Sequence, residues 1–165
     1  MAIRREESVP DEAQASEAAY PAIEDYAAIG DGRTVALVSR GGSIDWLCLP
    51  HFSGPPMFAA LLDRRRGGCF ALRPTEPFRT RRRYLPDTNV LETSFETGHG
   101  RCVLTDCMVL RPDRRNSHEL RPRAEILRRV GGCEGELELE VLCDARPDFG
   151  RARGRFEDRG ALGWA

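Results

Sequence analysis

Residues 89–110 read NVLETSFETGHGRCVLTDCMVL, and this stretch decides the fold class. Along residues 89–97, Val90, Glu92, Ser94 and Glu96 alternate with Leu91, Thr93, Phe95 and Thr97. A period of two puts successive side chains on opposite faces, as a half-buried strand requires. Gly98-His99-Gly100 then supplies a tight turn, and residues 101–110 supply a second strand. Two such runs joined by a short glycine turn read as a β-hairpin.

Working outward, the same pattern recurs. Residues 34–39 and 43–49 are short apolar runs separated by Gly41-Gly42, a second hairpin. Residues 69–73, 79–85, 124–130 and 151–158 read as further strands, and 111–120 as a polar loop. In residues 136–141, Leu137, Leu139 and Val141 face one way and Glu136, Glu138 and Glu140 the other. That pattern predicts one buried and one wet face, as in an antiparallel sheet. Gly131-Gly132 and Gly135 read as the turn before it. Pro55-Pro56 opens a helix-like stretch at 57–62, since proline is tolerated in a first turn. Eight or nine short strands with glycine turns and hardly any helix predict an all-β protein, an antiparallel β-sandwich. Residues 1–19 carry little apolar periodicity and read as a flexible lead-in. Order is expected from Tyr20, with Ile23, Tyr26 and Ile29 as anchors, and one sandwich domain over 20–165. The apolar stub before Trp164 predicts a last strand cut short, so that the domain is incomplete at its C-terminal end.

Bulk properties narrow the function classes. The chain has 165 residues, 41% hydrophobic and 31% charged, the composition of one globular domain. No apolar run approaches the roughly 20 residues of a membrane helix. The opening residues lack an apolar signal core, which points to the cytoplasm. All 25 basic residues are arginine, yet the net charge is −1 and only 7% of residues are aromatic. That balance argues against a nucleic-acid partner, which would need a basic face with interleaved aromatics. The clusters at Arg64–Arg66 and Arg81–Arg83 read as a solvated turn and a solvated strand end. The six cysteines (48, 69, 102, 107, 133 and 143) form no C-x-x-C pair and have no histidine pair at zinc spacing, so neither metal nor cofactor is expected. Cys102 and Cys107, an odd number of positions apart in one strand, face opposite ways. Reduced, mostly buried thiols are the expectation.

One long segment carries a resemblance. Residues 20–62, YPAIEDYAAIGDGRTVALVSRGGSIDWLCLPHFSGPPMFAALL, closely resemble the opening of bacterial glycoside hydrolase family 15 proteins, the glucoamylases and trehalases. The likeness continues through Arg82-Arg83-Tyr84-Leu85-Pro86-Asp87-Thr88, Leu91-Glu92-Thr93 and Thr105-Asp106-Cys107-Met108, and more loosely to Gly150. Where the family commonly has L-P-R-F-D-S-P, this chain has Leu49-Pro50-His51-Phe52-Ser53-Gly54-Pro55, with His51 in place of arginine and Ser53 in place of aspartate.

The resemblance implies an N-terminal β-supersandwich that precedes an (α/α)6 barrel. In such proteins the catalytic glutamates sit in the barrel, for which this chain has no helices of sufficient length. No catalytic residue is therefore assigned, and the chain alone is expected to be inactive. Trehalose or an α-glucan would be met through the parent enzyme. The missing barrel, or self-association, would cover an exposed apolar face. A second reading is a stand-alone carbohydrate-binding or scaffolding β module. For either, the candidate substrate contacts are Asp45, Trp46, His51 and Phe52. Asp45 and Trp46 at a strand end would offer a carboxylate and a stacking indole, or else cap a turn and fill the core.

Overall fold

A computed structural model of the chain describes residues 20–113 and 119–154. Among the described residues a 3-10 turn at Ile23–Asp25 precedes ten strands, and a helical turn at Pro147–Gly150 follows them. The strands are β1 (Tyr26–Gly30), β2 (Val35–Ser39), β3 (Ser43–Cys48), β4 (Pro56–Phe58), β5 (Cys69–Pro74), β6 (Arg79–Tyr84), β7 (Leu91–Glu96), β8 (Gly100–Pro112), β9 (Leu120–Gly135) and β10 (Leu139–Asp144). The first sheet runs β1-β2-β3-β5-β10, with β4 also paired to β3; the second runs β6-β7-β8-β9. Every pairing is antiparallel.

The 89–110 hairpin forms as expected, with Leu91 opposite Asp106, Thr93 opposite Leu104 and Phe95 opposite Cys102. Its inward parity supplies residues to both core clusters. Leu91 and Met108 pack with Ile29, Ala36, Val38, Ile44, Leu47 and Phe58 of the first sheet. Phe95, Cys102 and Leu104 pack with Leu72 and Leu139. Each fully buried Leu, Ile or Phe contributes about 1.5–3 kcal/mol relative to exposure, so the two hydrophobic clusters hold the sheets face to face.

A buried ion pair on the second sheet reaches across that interface. Arg128 on β9 reaches Asp106 on β8 with Nε to Oδ1 at 2.9 Å and Nη2 to Oδ2 at 3.2 Å. Its side chain is 2% exposed and that of Asp106 is fully buried. The same guanidinium donates to the carbonyls of Phe70 and Gly42 in the opposite sheet, the latter at 2.7 Å, and lies 4.7 Å from the Phe70 ring centroid. Gly42 sits at φ +75, where an added Cβ would meet the Leu72 carbonyl oxygen at 2.4 Å.

Several expectations are corrected. Residues 57–62 are not helical: Pro56–Phe58 pairs with β3, and Ala59 and Ala60 donate to the carbonyls of Gly67 and Gly68 at 2.8 and 3.1 Å. These long-range partners override the local helix preference. The 111–120 loop is shorter than expected, because β8 runs to Pro112 and β9 begins at Leu120. Gly131, Gly132 and Gly135 lie inside β9, where they accommodate a bulge rather than a turn. Glu136–Glu138 precede β10, and Val141 is 45% exposed because β10 is a sheet edge. Ile23 is exposed rather than part of either core cluster. Arg151–Gly154 are turn and coil rather than strand, while 1–19 and 155–165, including Trp164, lie outside the described residues.

Candidate functional site

Asp45 and Trp46 sit on β3 at a register shift, where Val38 faces Ile44 but Leu37 faces Trp46. The extra residue is Asp45. It is buried, accepts hydrogen bonds from the Tyr26 hydroxyl at 2.7 Å and from Ser43 Oγ, and its own carbonyl accepts from Leu61 N–H at 3.0 Å. Burial, and then donation to Asp45, push the Tyr26 hydroxyl well above its ordinary pKa. Tyr26 therefore stays protonated as a donor, and Asp45 fastens β1 and the segment after β4 onto β3. Trp46 is half-buried beside Leu37, on the face of the sheet away from the core.

His51 and Phe52 lie in the loop that follows the cis Leu49-Pro50 peptide bond. Both are exposed, Phe52 by 71%. Phe52 N–H donates to the Arg33 carbonyl, and Gly54 N–H to the His51 carbonyl, each at 3.0 Å. The facing turn is set by Asp31, whose Oδ1 accepts from the N–H groups of Arg33 and Thr34 at 2.9 and 3.0 Å, while Thr34 Oγ1 donates to the Cys48 carbonyl at 2.6 Å. Asp and Gly favour such turns because the carboxylate bonds the backbone and Gly32 supplies a φ of +84. The structure thus gathers His51, Phe52 and Arg33 at one end of the first sheet. Asp45 is committed elsewhere, to Tyr26 and Ser43.

Two concavities lie away from these residues. A cleft of about 320 Å³ between β1 and β6 is lined by Tyr26, Ala28, Arg40, Arg82, Tyr84 and their neighbours. Arg82 Nη1 donates there to the carbonyls of Asp25 and Val38 at 2.7 and 3.1 Å. Its pKa is lowered by burial and then by Arg40. Tyr84 both donates to Ala28 O at 2.7 Å and accepts from Ala28 N–H at 3.0 Å. A second hollow, of about 430 Å³, is lined by Pro77, Phe78, Arg79, Glu96, Thr97 and Gly98. Beside it Glu76 is held below the usual carboxylate range by hydrogen bonds from Thr97 and then His99. Among the described residues no group of three His, Cys, Asp or Glu is placed to hold a metal, and no helix is long and apolar enough to cross a membrane.

Sequence reasoning missed the Arg82, Tyr84 and Arg128 contacts. The available signal was parity: Asp106 shares a face with Cys102, Leu104 and Met108, so a charge there demands a buried partner.

Comparison with known proteins places this architecture. The trehalase from Mycolicibacterium smegmatis is 35% identical over 154 residues, which is 86% of this chain and 23% of the relative. The trehalase from Mycobacterium tuberculosis is 33% identical over 151 residues, 84% of this chain and 22% of the relative. That from Thermoplasma volcanium is 41% identical over 93 residues, 54% of this chain and 15% of the relative. The chain thus spans less than a quarter of the length of these curated relatives. No solved structure gives a significant match. The sequence profile described as trehalase-like, N-terminal, matches residues 14–161, which takes in all ten strands and the loop carrying His51 and Phe52, and the chain belongs to that family.

Proposed function

We propose that this chain is the non-catalytic N-terminal β module of a family 15 glycoside hydrolase, of the trehalase type before the glucoamylase type. The observation that carries this reading is the alignment itself: similarity fills 86% of the chain but only 23% of the Mycolicibacterium smegmatis trehalase. Inverting glycoside hydrolysis needs an acid and a base carboxyl group roughly 6.5–9.5 Å apart across the scissile bond. Here the buried or ordered carboxylates serve the fold, Asp106 with Arg128, Asp45 with Tyr26, and Glu92 with Arg83. The chemistry then belongs to a helical barrel outside this chain, and trehalose is met there, with α-glucan the alternative substrate.

The module's role is to brace that barrel. Tyr20, Ile23, Phe52 and Leu62 are exposed large hydrophobic residues of the first 43 described positions, and such surface is what a covered domain interface uses. Its six free cysteines suit a reducing cytoplasm. The test is a graft. The Mycolicibacterium smegmatis trehalase is assayed with its matched segment deleted, and again with this chain in its place. The deletion is expected to lose trehalose hydrolysis or solubility, and the graft to restore it; an active, soluble deletion variant would overturn the bracing role. The chain alone should release no glucose from trehalose or maltose. Heat on calorimetric titration with either sugar would instead favour a carbohydrate-binding module, with half-buried Trp46 and exposed Phe52 as its stacking surface.

A further inference from the structure

In the β8–β9 ladder Arg101 pairs with Glu134 but Val103 pairs with Gly131. Two residues of β9, Gly132 and Cys133, therefore oppose the single residue Cys102. Gly132 has φ +57, the left-handed glycine that opens a G1-type bulge. Counting back from Glu134 fixes the facing. Glu134 forms an ion pair with Arg101 at 2.6 Å on the outer side, so the next position inward on each strand is Cys133 and Cys102. At such a bulge two residues of one strand oppose one of the other, which sets Cys133 across the ladder from Cys102, and a disulfide needs Cα atoms about 4.4–6.8 Å apart.

Burial divides the pair into unequal partners. Cys102 is 1% exposed, while Cys133 is exposed on the edge strand. Cys69 and Cys143 are also neighbours, on β5 and β10. There, however, Cys143 opposes Phe70 and Cys69 opposes Asp144, so alternation turns their side chains to opposite faces.

We propose that Cys133 and Cys102 form a hydroperoxide-responsive cross-strand thiol pair, with Cys133 the oxidised entry point and Cys102 the resolving thiol. The Cys133 thiolate attacks one peroxide oxygen. The O–O bond breaks, hydroxide leaves and takes a proton to become water, and Cys133 becomes a sulfenic acid. Cys102 then gives up its proton and attacks the sulfenyl sulfur. The S–S bond forms, the S–O bond breaks and a second water leaves. In sum, two thiols and one hydrogen peroxide become one disulfide and two waters, the sulfurs oxidised and the peroxide reduced. A thiol reductant restores the pair. The bond would tie the outer edge strand to the core at its bulge.

The purified chain is treated with hydrogen peroxide, its remaining thiols are alkylated, and it is analysed by intact mass and by unreduced peptide mapping. Loss of two hydrogens per chain and one linked peptide pair holding Cys102 and Cys133, both reversed by dithiothreitol, are expected. Cys133→Ser, a surface change, should abolish the linked pair. Cys102→Ser should leave Cys133 proceeding to its oxygen-bearing acids. Cys133 oxidised to those acids in the unsubstituted chain with no linked pair, or a link through Cys69, Cys107 or Cys143 instead, would overturn the proposal.

Discussion

The Arg128 guanidinium is held in the driest part of the molecule with Asp106 as its counter-charge. Deleting one member of such a pair leaves the other uncompensated, at a cost of about 3–5 kcal/mol, whereas replacing both with apolar groups is often near neutral. Arg128→Met is therefore expected to lower the urea midpoint sharply, and Arg128→Met with Asp106→Leu to regain most of the loss. A double variant no better than the single one would show that the carbonyls of Phe70 and Gly42 matter more than the carboxylate. Gly42 is a second sensitive position. An alanine there meets the Leu72 carbonyl oxygen at 2.4 Å and Phe95 Cζ at 2.8 Å, and must hold φ +75 as well. Left-handed backbone at a non-glycine residue alone costs about 1–3 kcal/mol. Gly42→Ala should destabilise by at least that much, as read from the same unfolding curves.

At the level of strands, the edges differ in how they are closed. The outer edge of β1 is capped by the Tyr84 hydroxyl, which both donates to and accepts from Ala28. Tyr84→Phe keeps the ring and removes both bonds. Each such bond contributes about 0.5–1.5 kcal/mol, so a loss of about 1–2 kcal/mol is expected, with faster hydrogen exchange at the Ala28 amide; unchanged exchange there would contradict the cap. The strands also show where reading the sequence succeeds. The β2–β3 and β7–β8 hairpins were legible because alternation and turn glycines are adjacent in the chain. β4 was not, since its identity comes from pairing with β3 and from Gly67 and Gly68 beyond it. The glycines of β9 mimic a turn, and only the partner strand reveals a bulge. Of the four candidate contacts, Asp45 and Trp46 were expected at a strand end but lie in the middle of β3 at its bulge, and the Tyr26 hydroxyl that engages Asp45 lies 19 positions away and leaves no local trace.

For the molecule as a whole, buried acids set the alkaline limit. Burial pushes the Cys102 and Cys143 thiols from an ordinary value of 9.0 up to about 11, and raises Tyr26 as well. Above the ordinary thiol pKa the unfolded chain has already lost protons that the folded chain retains, so stability falls as pH rises. It is expected to be level near neutrality and to decline from about pH 9 towards about pH 11, with a shallower decline for Cys143→Ala, in urea unfolding followed across that range. The Arg128 contacts also have a mechanical consequence. They act as a shear pin through the two layers. Sliding one sheet past the other by a single residue moves it about 3.3 Å, which exceeds the reach of a hydrogen bond and severs the grips on Phe70 and Gly42 together. The offset between layers is consequently all-or-none: the sandwich resists lateral creep until the pin gives way, and the loop bearing His51 and Phe52 keeps a fixed aim relative to the opposite sheet.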